Sequence, residues 1–188
     1  MDFLENYNHE KNIRFSSFKF ALIEAKKRNL KNFVETGVAR GKVKFLFFTK
    51  INWKDGMSTM IFSDYVKFMN GKLTSCDIEK RNIENAKKFV DKKNIDFVDF
   101  VVDDSLNFLR NYNQEIDFLY LDSLDGQFKE ASEHQLKEIT IAIKNLHKNS
   151  LVLLDDKGSK TNLSIDYMLK NNFKIINETK EQVLFSLS

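Results

Sequence analysis

The sequence predicts an α/β domain with a seven-stranded, mostly parallel sheet, helices on both faces and a C-terminal antiparallel β-hairpin. Three observations carry that expectation. Short apolar runs of strand length alternate with longer runs of helical period, which is the pattern of a parallel sheet with crossover helices. Several of the short runs end in acids, at Glu35, Asp77 and Asp122, where an open α/β sheet places its ligands. The last two apolar runs, 173–177 and 183–187, stand too close together for a crossover and have to pair as a hairpin.

Residues 1–15 are polar, with Tyr7, Ile13 and Phe15 as anchors, and read as an N-terminal lid or flexible arm. Ser16 and Ser17 are placed to cap a helix that carries Phe18, Leu22, Ile23 and Ala25 and stops at the basic Lys26-Lys27-Arg28. Phe33 and Val34 end a short buried strand at Glu35, and Gly37 lets the backbone turn where a side chain would block a ligand. The segment 42–55 sets Phe45, Phe47, Phe48 and Trp53 among lysines and reads as an insertion loop. It is either a flap over an anionic or aromatic substrate or an edge strand whose lysines prevent pairing. Ser58 caps the next helix, which aligns Ile61, Phe62, Tyr65, Val66 and Met69 on one face and ends at Gly71. A second strand, 72–77, ends in Asp77.

A helix over 80–92 buries Ile83, Ala86, Phe89 and Val90, and the run 97–102 is the third strand, closed by Asp103-Asp104-Ser105. After a short helix with Leu106, Phe108 and Leu109, the fourth strand, 116–121, ends in Asp122. A helix over 129–147 leads to a fifth strand, 151–154, closed by Asp155-Asp156, and a last helix with Ile165 and Met168 precedes the hairpin. The whole chain, 1–188, is expected to form one Rossmann-like domain. An acid after the second strand suits two ribose hydroxyls, so Gly37 and Asp77 read as the two sides of a nucleoside site.

With 30 basic and 27 acidic residues the net charge of +3 is too balanced for a nucleic-acid binder, and none is expected as a partner. The single cysteine, Cys76, excludes an intrachain disulfide and a cysteine-based zinc cluster. No signal-peptide pattern and no apolar run near the roughly 20 residues of a membrane span occur, so a cytoplasmic location without a membrane partner is expected.

The ordered acids and the closing hairpin resemble the class I S-adenosylmethionine-dependent methyltransferases over most of residues 17–188. Val34-Glu35-Thr36-Gly37, resumed at Gly56-Met57-Ser58-Thr59, is similar to that family's first motif, split by the insertion. Ser75-Cys76-Asp77-Ile78-Glu79 is similar to its second, Asp103-Asp104-Ser105 to its third, and Phe118-Leu119-Tyr120-Leu121-Asp122-Ser123 to its fourth. The resemblance implies S-adenosylmethionine as cofactor. Glu35 and the Gly37 turn would hold its methionine end, with Ser58 among the cofactor contacts, Asp77 on the ribose, and Asp104 and Ser105 at the adenine. The chain looks nearest the catechol O-methyltransferase-like branch, whose divalent cation, such as Mg²⁺, would match Asp122, Asp155 and Asp156, with aspartate where the branch has an amide. Such a metal would lower the pKa of a substrate hydroxyl and orient it. The competing reading of these acids is that they are solvated or lysine-paired.

Asp122 and His134 are the candidate catalytic residues. His134 lies in the first turns of the helix after the fourth strand, as a general base at the mouth of the site or as an exposed helical histidine. The expected activity is O-methylation of a small polar acceptor such as a sugar derivative. A nucleoside-binding module without turnover is the alternative. A nicotinamide oxidoreductase ranks below both, since no Gly-x-Gly-x-x-Gly follows the first strand. The chain has no proline, whereas the familiar nucleic-acid amino-methyltransferases carry paired prolines after the fourth strand. Homo-oligomerisation is left open.

Overall fold

The computed structural model describes residues 1–45 and 48–187. In chain order the strands are β1 (Asn32–Thr36), β2 (Lys42–Phe45), β3 (Phe48–Ile51), β4 (Lys72–Asp77), β5 (Val98–Val102), β6 (Ile116–Leu121), β7 (Leu146–Leu154), β8 (Phe173–Glu178) and β9 (Val183–Leu187). The helices are α1 (Phe15–Lys27), α2 (Ser58–Phe68), α3 (Lys80–Phe89), α4 (Ser105–Asn111), α5 (Ala131–Ala142) and α6 (Asn162–Lys170).

Seven strands form the main sheet in the order β5-β4-β1-β6-β7-β9-β8. Strands β5, β4, β1, β6 and β7 pair in parallel, and β9 pairs antiparallel with both β7 and β8. Alternation along the strands builds two cores. Phe33, Phe118, Tyr120, Leu151 and Leu153 face α1 and α2, while Val34, Leu119, Leu121, Val152 and Leu154 face α4, α5 and α6. Phenylalanine fills the first core as interlocked rings. Phe33 stacks on Phe118 at 4.5 Å, and Phe62 meets Phe18, Phe33 and Tyr120 edge-on.

The terminal hairpin is inserted rather than appended. The apolar strand β9 lies inside the sheet, and β8, with exposed Lys174 and Glu178, takes the edge. The strand with more apolar surface takes the position with two neighbours, and the charged one guards the rim.

Other expectations shift for tertiary reasons. Ser16 and Ser17 do not cap α1, which starts at Phe15 because Phe15 and Phe18, one turn apart, both sink into the core. The helix expected over 80–92 stops at Phe89, where the Asp91 carboxylate accepts the Lys93 N–H in a turn. The helix expected over 129–147 spans Ala131–Ala142, a 3-10 turn follows, and β7 already begins at Leu146. Asp117 is the reason: its carboxylate accepts the N–H groups of Lys31 and Asn32, and His147 Nε2 lies 2.8 Å from its other oxygen.

Within the insertion, β2 and β3 pair with each other as a separate hairpin, so the edge-strand reading is not met. Phe47 lies outside the described residues. The N-terminal arm is packed down: Leu4 is buried, the Tyr7 hydroxyl donates to Asp64 at 2.7 Å, and His9 stacks on Trp53 of the insertion. No helix among the described residues is long and apolar enough to cross a membrane.

Candidate active site

From β1 the chain moves outward through β4 and β5, then returns to β6 on the other side of β1. The crevice at the carboxyl end of β1 is therefore the topological switch point, where neighbouring loops diverge and leave room. Thr36 is in register with Cys76 on β4 and with Leu121 on β6, so Gly37, Asp77 and Asp122 emerge at one level. Gly37 has φ +81°, and a Cβ there would sit 2.2 Å from the Asp122 carbonyl oxygen. Only glycine lets this backbone pass so close to β6.

Three cavities run in series from this point. An apolar one of about 150 Å³ is lined by Cys76, Asp104, Ser105, Leu124 and His134, among others. A polar one of about 250 Å³ shares Gly37, Asp77 and Ser123 with it and continues along Val38 and Ala39. The third, about 200 Å³, shares Arg40, Asp55, Asp122 and Asp125 with the second and adds Arg14 and Asp156. Asp77 thus stands at the seam of the first two cavities, and Asp122 at the seam of the second and third. The Asp77 carboxylate is aimed by the N–H of Glu79 at 2.8 Å and by the Asn82 amide.

Glu35 and Ser58 stand elsewhere than expected. Glu35 is fully buried behind the loop and accepts the hydroxyls of Ser58, Thr59 and Ser75. Thr59 in turn accepts the Ala39 N–H at 2.9 Å, so the acid braces the crevice wall from within and does not line it. Ser58 is not the cap of α2 either: Met57 takes that position with φ 60°, and the serine hydroxyl is turned to Glu35. Gly41 packs against Phe89 and Met60 and Gly56 against Arg14 and Phe18, and neither glycine lines the three cavities.

Burial pushes Glu35 from an ordinary 4.5 up to about 7, against the pull of its three hydroxyl donors. A carboxyl with a raised folded-state pKa gives stability that is complete below pH 4.5 and is lost as pH rises through 7. Glu35→Gln is therefore expected to flatten the decline in stability between pH 5 and pH 8 by roughly 3 kcal/mol, at about 1.4 kcal/mol per pH unit. Urea unfolding of both proteins across that range checks it, and parallel pH profiles refute it.

His134 is also relocated. Its Nε2 lies 3.0 Å from the Ser105 hydroxyl, and both line the apolar cavity, at the far end of the series from Arg14 and Asp156. His134 does not line the second or third cavity, and its ring pairs with Ser105. Asp104 lines the same cavity and also caps α4 through the Asn107 N–H.

Asp122, Asp155 and Asp156 each bring one oxygen within 4.8 Å of the others. Two cations already hold them. Arg14 Nε reaches both oxygens of Asp155, at 2.8 and 2.9 Å, and its Nη2 reaches Asp156 at 2.7 Å. Lys160 Nζ lies 2.7 Å from Asp122 Oδ1 and 3.1 Å from Asp156 Oδ2. Burial alone would raise Asp155, yet Arg14 outweighs it and holds this carboxyl below its usual range. Burial and the Asp155 charge push Asp122 well up, against Lys160. A divalent cation does not fit the donor set in this arrangement, because it would have to displace both side chains. Lys160, a helical turn after Asp156, carries a faint sequence signal; Arg14, 141 residues from Asp155, carries none.

A family described as "Methyltransferase domain" matches residues 53–157. Among solved structures, the chain is similar to the SAH-bound methyltransferase PaMTH1 of Podospora anserina, at 11% identity and TM-score 0.66 over 92% of this chain and 78% of that one. It is also similar to the O-methyltransferase NovP, at 12% identity and TM-score 0.65 over 93% and 79%. An rRNA methylase from Streptococcus thermophilus matches at 11% identity and TM-score 0.62 over 90% and 95%. At these identities the likeness shows the fold alone. No protein of curated function matches the chain by sequence.

Proposed function

The chain belongs to the methyltransferase-domain family, among the class I S-adenosylmethionine-dependent methyltransferases, and from that premise we propose that it methylates an oxygen of a small polar acceptor. The observation that carries this reading is the series of three cavities with an acid at each seam. The apolar cavity suits an adenine between Leu124 and the Ser105 and His134 pair, Asp77 suits the ribose hydroxyls, and the backbone of Gly37 to Ala39 suits the methionine end. Bound S-adenosylmethionine supplies an already activated methyl group, so position and a proton acceptor are what the protein must add.

Asp122 meets both needs. Lys160 holds its Oδ1, and the Tyr120 hydroxyl donates to Oδ2 over a long 3.4 Å. From the seam, the Asp122 carboxylate accepts the proton of the acceptor hydroxyl as that oxygen takes the methyl and the carbon–sulfur pair stays on sulfur. Around the third cavity Asp55, Asp125 and Asp156 stand among Arg14, Arg40 and Lys54, a rim of mixed charge that matches several hydroxyls better than the single-sign basic surface a phosphate backbone needs. That rim supports a small-molecule acceptor over RNA, though rRNA methylases share the fold. A cytoplasmic location belongs to the same reading.

The test is transfer of labelled methyl from S-adenosylmethionine to a panel of polyhydroxylated small molecules and to RNA. Label in small acceptors alone is expected. Label in RNA alone refutes the acceptor class, and bound cofactor with no transfer anywhere favours a module without turnover.

A further inference from the structure

We propose that Arg14 and Lys160 form a built-in dication that takes the place of a divalent metal at Asp122, Asp155 and Asp156, which makes this centre metal-independent. The inference rests on the reading of this crevice as a methyl-transfer site. Its warrant is the connectivity of the cluster. Lys160 ties Asp122 to Asp156, and Arg14 ties Asp156 to Asp155, so the three carboxylates are linked in one chain, Asp122–Lys160–Asp156–Arg14–Asp155. A metal would tie the same three carboxylates, each of which brings one oxygen within 4.8 Å of the others. The formal charge brought by the two side chains is +2, equal to that of Mg²⁺, and it reaches the same acids.

The cations are not surface partners that a metal would brush aside. Lys160 has 1% of its surface exposed and the Arg14 side chain 12%. A lysine buried to that degree is retained only with its countercharges, and removing them strands it. The backbone is committed as well. Asp156 sits at φ 55°, a left-handed conformation unusual for a non-glycine residue, and from there its two oxygens reach Arg14 and Lys160 separately. Arg14 also donates to the Lys54 carbonyl at 2.8 Å, which fastens the insertion to the rim. Lys160 is thus a positioning residue: it fixes Oδ1 of Asp122, a residue that lines the acceptor cavity.

The experiment reads Mn²⁺ binding by the loss of its free electron paramagnetic resonance signal, on the full chain without acceptor or turnover. Wild type is expected to leave the signal intact. Lys160→Ala, folded as judged by a wild-type circular dichroism spectrum and cooperative urea unfolding, is expected to gain a saturable site at least about tenfold tighter than any wild-type affinity, since the freed acids are hard oxygen donors. If Lys160→Ala fails to fold, Lys160→Gln and Arg14→Gln are read in its place. Saturable Mn²⁺ binding by wild type that Asp122→Asn removes overturns the proposal, as does a folded cation-less variant that gains no site. Either failure leaves cofactor binding untouched, whereas absent cofactor binding with the expected Mn²⁺ result would sink the methyltransferase reading alone.

Discussion

Gly37→Ala is expected to destabilise the fold by about 3–5 kcal/mol and to abolish measurable S-adenosylhomocysteine binding. Two costs add. A non-glycine residue at φ +81° is strained by about 1–3 kcal/mol, and the new Cβ lies 2.2, 2.6 and 2.9 Å from backbone atoms of Asp122 and Ser123. Backbone cannot rotate aside as a side chain would, so β1 and β6 must part at the level where the cavities meet. Gly158→Ala separates the two costs, because that glycine also has positive φ, at +89°, but nothing within 4 Å of the added carbon. Gly158→Ala should lose only about 1 kcal/mol and bind as wild type. Urea unfolding and calorimetric titration of both variants check the pair. Equal losses in the two would mean that the close approach to β6 has no energetic weight.

Asp77→Ala is the second large effect, expected to weaken S-adenosylhomocysteine about 100- to 10,000-fold while leaving the fold intact. Two hydrogen bonds from ribose hydroxyls to a carboxylate are worth about 1.5–3 kcal/mol each, and every 1.4 kcal/mol is tenfold in affinity. The carboxylate is already aimed by Glu79 N–H and Asn82, so little ordering is lost on binding to offset that gain. Asp77→Asn keeps the shape and one acceptor oxygen, and should fall between the two. Titration of the three proteins decides it, and an unchanged Asp77→Ala would remove this residue from the ribose position.

Most of the frame was legible because it is written in neighbouring residues. Period-two alternation places Phe33 against Val34 and Leu151 against Val152 on opposite faces, and the acids at strand ends need no partner to be noticed. Gly37 could be read the same way, since a glycine straight after a buried strand announces a turn. The insertion was harder. Its residues alternate like an edge strand, but whether a hairpin joins the main sheet depends on which edge is free, and both neighbours of β1 were already taken by β4 and β6. Glu35 looked like a ligand for the same reason as Asp77. It differs because α2 brings Ser58 and Thr59 over it, and β4 brings Ser75 beside it.

What the sequence determined by itself is the alternation of strands and helices, the closing hairpin and the positions of Gly37, Asp77 and Asp122 at strand ends, because these follow from backbone geometry and local apolar period. Only the tertiary structure decided which charges meet: Arg14 crosses 141 residues to Asp155, Lys160 reaches back 38 to Asp122, and His134 joins Ser105 at the apolar end. Ion pairing is set by distance in space and by exclusion of water, and neither is encoded in the spacing of residues along a chain.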